Sequence, residues 1–179
     1  GTGARGLDFK QVTYEQLGKF ETEDQIAAAK QLSKRKYIDA DRIGMFGWSF
    51  GGYLTNLCLT KGADVFAAGI AVAPVTNWRY YDTIYTERYN GLPQDNEAGY
   101  DENSPINHVD KLKGDLLLVH GVADDNVHFQ NSMDYINKLV AANKQFDLMT
   151  YPNRDHGIRG GGARLHLYTR MTDFLKENL

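Results

Sequence analysis

Short, almost wholly apolar runs alternate along this chain with longer stretches in which apolar residues recur at helical spacing. "RIGMFGW" (42–48) is too short for a core helix and is bounded by charge and glycine, so it reads as a buried strand. "FAAGIAVAPV" (66–75), "DLLLVHGV" (115–122) and "FDLMTYP" (146–152), the last stopped by Pro152, repeat the pattern. Continuous apolar strands of this kind mark a parallel sheet covered on both faces. Between them the period changes. Thr22 and Gln25 have capping-box spacing within a segment rich in helix formers, which predicts a helix over 22–36. Leu54, Leu57 and Cys58 share one face of a helix after Ser49. Met133, Ile136 and Val140 fall at i, i+3 and i+7, and Leu167, Met171, Phe174 and Leu175 mark a final amphipathic helix. Residues 1–20 carry no period and read as a connecting segment. Strand, helix, strand, helix is the rhythm of an α/β fold.

Four strands, the first preceded by a helix, are few for an open α/β enzyme, and the first residue is not Met. We therefore expect one domain over 1–179 that is a piece of a longer protein, with the early strands of its sheet upstream. No internal repeat, low-complexity tract or interdomain linker interrupts it.

Composition narrows the function classes. Among 179 residues, 42% are hydrophobic and 24% charged, which is ordinary for a globular protein with a real core. A net charge of -3 with interspersed signs offers no basic stripe, so no nucleic acid is expected as a partner. The single Cys58 sits in an apolar helical pattern and reads as a buried thiol. No apolar run approaches the roughly 18 residues of a membrane-spanning helix, so no membrane contact is expected from this chain.

The chemistry begins at "GWSFGGY" (47–53), where a strand hands over to a helix. A serine hydroxyl is a weak nucleophile and has to be exposed within reach of a base. A sharp strand-to-helix turn supplies the exposure and crowds its flanks, which explains Gly47 and Gly51, with Gly52 allowing close packing. Ser49 then sits at the tip, and the Phe50 N–H, at the helix start, points to where a carbonyl oxygen under attack becomes negative. Gly-x-Ser-x-Gly alone is short enough to arise by accident in a chain with 18 glycines; the flanking strand and helix give it weight.

Such a serine needs a base and an acid, and in this architecture they follow in the order Ser, Asp, His. His108 and His120 precede any convincing acid, and packing at a strand end accounts for His120. His128 is too near Asp124 along the chain, and His166 lies in the last helix as a surface or interface residue. His156, on the loop after the fourth strand, remains as the base. For the acid, "VHGVADDNVHF" offers both Asp124 and Asp125, and the pattern leaves the two open; Asp155 adjoins His156 too closely to orient its ring. The paired aspartates lack the ligand spacing of a calcium loop, and "GIRGGG" lacks the Lys-Ser/Thr ending of a phosphate loop.

With these residues identified, the chain resembles the catalytic domain of the prolyl oligopeptidase family of serine peptidases, within it the dipeptidyl peptidase IV group. The resemblance rests on "FETEDQIAAAKQLS", "GWSFGGY", "GIAVAPVTNWRYYDTIYTERYNGLP", "HGVADDNVHFQNS" and "DHGI", collinear through nearly the whole chain. It implies an α/β-hydrolase fold, of which this chain holds the C-terminal half of the sheet. It also implies Ser49 as nucleophile, Asp124 as acid and His156 as base, with no metal or cofactor.

Trp78, Tyr81 and Tyr85, spaced three and four apart, would share one helix face, and core packing explains such a stripe by itself. The resemblance instead implies that they line a small proline pocket with Val75, Val127 and the Phe50 side chain, while Asn126 bonds a substrate carbonyl. Phe50 departs from the tyrosine common at that position in the group. A tyrosine donor to the oxyanion and a β-propeller that holds the substrate amine are implied upstream.

The expected activity is release of Xaa-Pro or Xaa-Ala dipeptides from free N-termini, with peptides of penultimate proline as substrates. A homodimer involving residues 163–179 and a periplasmic, cell-surface or secreted parent are implied as well. An acylaminoacyl peptidase or esterase on the same scaffold, or an inert oligomerisation module, are the rival readings.

Overall fold

The strands β1 (Gly44–Trp48), β2 (Ala68–Val72), β3 (Asp115–Gly121) and β4 (Asp147–Tyr151) lie inside the four apolar runs. In the computed structural model, which describes residues 2–179, they form one wholly parallel sheet in the order β1-β2-β3-β4. Gly47 pairs with Ala71, Ala71 with Leu118, and Leu118 with Leu148, so the C-terminal strand ends are aligned along one edge. Loops leaving those ends are the customary place for a site in a parallel sheet.

Period-two alternation divides β3 between two cores. Leu116 and Leu118 face a layer that includes Cys58 and Leu59 of α3 (Phe50–Lys61) and Tyr135 and Leu139 of α6 (Gln130–Ala141). Leu117 and Val119, with Ile70 and Val72 of β2, face Leu167, Met171 and Phe174 of α7 (Ala163–Asn178). The apolar stripe predicted for the last helix is thus the one that packs. A third cluster, at the C-terminal ends of the strands, joins Tyr53 and Leu57 of α3 to Leu17, Val75, Trp78, Tyr100 and Val127. It is fed by the long β2–β3 connection, which holds a 3-10 turn (Trp78–Tyr80), α4 (Thr83–Asn90), α5 (Glu97–Asp101) and a second 3-10 segment (Pro105–Lys111).

Several expectations are corrected. Among the described residues β1 lies at the margin of the four strands and is only partly buried, with Phe46 49% exposed; only β2 is buried throughout, and β3 is buried beyond Asp115. The helix expected over 22–36 is α2 (Lys19–Leu32), and the side-chain partner at its start is Glu21, whose Oε2 accepts the Gly18 N–H at 3.0 Å. Thr22 lies buried inside its first turn, its hydroxyl without a partner among the described residues. Residues 1–20 include a short α1 (Leu7–Gln11), and Leu17 is tied into the core by the Asn90 side chain, whose Oδ1 accepts the Leu17 N–H. Helix α3 buries nearly its whole circumference rather than one face.

The largest departure is α6, where only Ile136 of the predicted stripe packs against the core, while Val140 is 63% exposed and Met133 is exposed as well. Asn131, Ser132, Tyr135 and Leu139 are the buried residues. Asn131 earns its place through two bonds to the β2–β3 connection: its Oδ1 accepts the Thr76 N–H at 2.9 Å and its carbonyl accepts the Thr76 hydroxyl at 2.7 Å. Periodicity of apolar residues cannot see a helix turned by polar contacts.

Tyr135 is fully buried, and its hydroxyl has no hydrogen-bond partner among the described residues. An unpaired buried hydroxyl carries its desolvation cost without return. Tyr135→Phe is expected to raise stability by about 1 kcal/mol, read from the urea midpoint; a loss of stability would show that the hydroxyl is satisfied in solution.

Candidate active site

The turn between β1 and α3 is set by one close approach. A Cβ on Gly47 would lie 2.0 Å from the Gly51 carbonyl oxygen, so no side chain fits there. Gly52 is nearly as constrained, by the Val72 carbonyl oxygen at 2.8 Å. Gly51 is different: a Cβ there meets nothing within 4 Å, so crowding does not explain that glycine. Between them Ser49 takes φ 60° and ψ -119°, a conformation costly for any residue with a side chain. It is held by its own N–H donating to Val72 O at 2.8 Å and its carbonyl accepting from Tyr53 N–H at 3.0 Å. Ser49 Oγ makes no capping bond to its helix and remains uncommitted there. The Phe50 N–H, in the first turn of α3, has no intrahelical acceptor.

Asp124 lies on the loop after β3 and is buried. Its Oδ1 accepts the backbone N–H groups of Asn126 at 3.0 Å and Val127 at 2.9 Å. Its Oδ2 faces His156 Nδ1 at 2.7 Å and His120 Nε2 at 3.1 Å. Burial pushes this carboxyl up, but the bonds from His120, His156 and the Asn126 N–H outweigh it and hold the group far below the usual carboxylate range. Asp125, the alternative acid, is exposed. Asp155 turns to its own loop, its Oδ1 accepting the Gly157 N–H at 3.0 Å.

His156 reaches Asp124 from the loop after β4, and pairing at Nδ1 leaves Nε2 outside that bond. A second tie comes from the residue before Ser49: Trp48 Nε1–H donates to the His156 carbonyl at 3.0 Å, and the Arg164 guanidinium lies 5.0 Å over the Trp48 ring. The two loops also meet at Gly121, where a Cβ would come within 2.4 Å of the Arg154 carbonyl oxygen. Asp124 and His156 are thus in direct contact, and Ser49 is joined to them through Trp48. A Ser49 to His156 hydrogen bond is not among those formed between the described residues; such bonds commonly tighten only around a substrate.

The aromatic residues do not share a helix. Trp78 opens the 3-10 turn, Tyr81 is extended, and Tyr85 belongs to α4. They nevertheless converge: Trp78 lies 5.8 Å from both Tyr81 and Tyr85, and Tyr81 is 5.3 Å from Tyr85. Phe50 sits 5.7 Å from Trp78 on the other side. Trp78, Val75 and Val127 form the buried floor of this cluster, while Phe50, Tyr81 and Tyr85 are partly open. Burial, with Asp82 and Asp124 nearby, raises the Tyr81 phenol, so it remains a donor; it donates to Asn126 Oδ1 at 2.7 Å. A cleft of about 430 Å³ lies between Tyr80, Tyr81 and Asp82 on one side and Asp125, Asn126 and His128 on the other.

Cys58 is buried, and burial pushes its thiol up to about 12, away from any nucleophilic role. Sequence reasoning passed over His120 and Trp48. Each stands at or beside the C-terminal end of a parallel strand, which was the available signal.

Two outcomes follow from this geometry. Gly47→Ala is expected to cost on the order of 3 kcal/mol, whereas Gly51→Ala should change stability by less than about 1 kcal/mol; equal effects in a urea titration would contradict the close approach at Gly47. Asp124 has a folded-state value below its unfolded one, so its stabilisation is complete above the unfolded value near ~4 and is lost as pH falls through the folded value. Asp124→Asn should cost about 3 kcal/mol at neutral pH, with the gap to wild type closing below about pH 4. A gap that stays constant down to the acid range would count against an ionised, bonded Asp124.

Comparison with known proteins agrees with the geometry. The chain is 47% identical over 180 residues to a dipeptidyl peptidase 4 of Felis catus, a match covering 99% of this chain and 24% of that protein. It is 44% identical to a prolyl endopeptidase FAP of Mus musculus, again over 99% of the chain and 24% of the relative. The crystal structure of Porphyromonas gingivalis dipeptidyl peptidase 4 superposes with a TM-score of 0.97 at 51% identity, covering 99% of this chain and 25% of that one. The chain therefore spans about a quarter of the length of these proteins. Its parallel sheet and flanking helices are of the α/β-hydrolase type. With a serine at the β1–α3 turn and an aspartate and histidine on the two following strand ends, and with a match over residues 1–179, the chain belongs to the prolyl oligopeptidase family.

Proposed function

We propose that this chain is the catalytic part of a serine exopeptidase that releases dipeptides with proline, or alanine, in the second position from free N-termini. The observation that carries the reading is the bond from His156 to the buried Asp124 carboxylate at 2.7 Å, made beside an elbow that exposes Ser49. Ser49 Oγ attacks the carbonyl after proline, and its proton passes to His156 Nε2. The C–N bond then breaks, and His156 returns the proton to the leaving amine. Water, activated by the same ring, cleaves the ester. Asp124 keeps Nδ1–H in place and faces the imidazolium that forms. The Phe50 N–H donates to the oxyanion.

Phe50, Tyr81 and Tyr85 over a floor of Trp78, Val75 and Val127 make a flat aromatic slot suited to a proline ring. Asn126, held by Tyr81, bonds a substrate carbonyl. Segments preceding this chain in the parent supply the amine-binding groups and further strands on β1, a reading supported by the exposed Phe46 on that edge and by the quarter-length coverage of relatives. Pairing of two parents through α7 is supported by Leu165, 78% exposed on its outer face.

Similarity to a prolyl endopeptidase, at 44% identity, supports a second reading, cleavage after an internal proline. Glycyl-prolyl and N-acetyl-glycyl-prolyl amides, given to the full-length protein, separate the two. Turnover of the free amine with the acetylated amide inert is expected for the exopeptidase; turnover of both favours the endopeptidase. Ser49→Ala should lower kcat by about 10⁶-fold, and a fluorophosphonate should leave its adduct on Ser49. Retained turnover in that variant would end the proposal.

A further inference from the structure

His120 ends β3 fully buried, with both ring nitrogens engaged. Nε2 lies 3.1 Å from Asp124 Oδ2 and 2.9 Å from the Val127 carbonyl oxygen. Neither a carboxylate nor a carbonyl can donate, so Nε2 carries the proton and gives it to both. Nδ1 lies 2.7 Å from the hydroxyl of Ser132, itself fully buried on α6. In the neutral ring Nδ1 is an acceptor, so the Ser132 hydroxyl donates and selects that tautomer. The ring edge is further held by Phe129, with centroids 5.4 Å apart and planes at 87°.

We propose that His120, oriented by Ser132, is a positioning residue that fixes the Asp124 carboxylate in the plane where it serves His156. The inference rests on the reading of Ser49, Asp124 and His156 given above. Two backbone N–H groups clamp Oδ1, but both come from the same loop as Asp124 itself. His120 is the group that ties Oδ2 to the sheet. Through the Val127 carbonyl it also ties the residue whose side chain floors the aromatic slot, so one ring registers the acid and the slot against the same strand. A carboxylate turned about its own axis would lose His120 and His156 together, since both address one oxygen.

The test uses the full-length protein with glycyl-prolyl p-nitroanilide, comparing wild type with His120→Leu, His120→Gln and Ser132→Ala. His120→Leu is expected to lower kcat on the order of 10- to 100-fold, the range for partners that orient a functional side chain, with KM changed less than about 2-fold. His120→Gln, whose amide can donate to Asp124, should recover much of that loss. Ser132→Ala, a small change that leaves the ring in place, should lower kcat several-fold with KM unchanged. If His120→Leu does not fold, the Ser132→Ala result decides. Wild-type kcat in a folded His120→Leu, or in Ser132→Ala, would overturn the inference, as would equal impairment of the Leu and Gln variants. A wild type that neither turns over the amide nor takes up a fluorophosphonate on Ser49 would instead overturn the reading beneath it, and the inference with it.

Discussion

A carboxylate removed from water must be surrounded by donors, and the arrangement around Asp124 is the solution to that requirement. Four donors converge on two oxygens: two backbone N–H groups from its own loop, one ring from β3 and one from the loop after β4. Each brings a different part of the chain into a defined place. The loop closes on itself, the last strand's loop is drawn over the sheet, and Val127 is pressed into the aromatic cluster. Remove the charge and these contacts lose their common reason.

The serine side of the site answers to a second constraint, the approach of Gly47 to the Gly51 carbonyl. It forces the chain to reverse within a few residues and leaves Ser49 in a conformation that only surrounding structure sustains. That support is the near-complete burial of α3, wedged between the sheet and the aromatic cluster, with Tyr53 donating its hydroxyl into the backbone of distant segments. Rigidity in the helix is what allows strain in the turn.

The sequence made the central architecture legible because its signals were redundant. Each apolar run contains one strand, and the Gly-x-Ser-x-Gly turn combined a motif with the right elements on both sides. Gly51 shows the limit of motif logic, since its Cβ would stand in open space while Gly47 and Gly52 carry the steric demand. Val140 and Met133 show the limit of periodicity: a helix aligned by Asn131 and Ser132 buries those two polar residues beside Tyr135 and Leu139 and leaves Met133 and Val140 outside. His120 was set aside because a histidine ending an apolar strand is usually packing. Its partner four residues on, folded back over the strand end, is invisible until the loop has a shape.

The bond from Trp48 to the His156 carbonyl joins residues 108 apart in the chain. The elbow at β1–α3 is made before the loop after β4, which carries the histidine. During synthesis from the N-terminus, the elbow can form before the His156 loop exists. A growing chain of this design therefore holds Ser49 without His156 beside it until β4 and its loop have been made. The order of elements along the polypeptide acts as a built-in delay on assembly of the site.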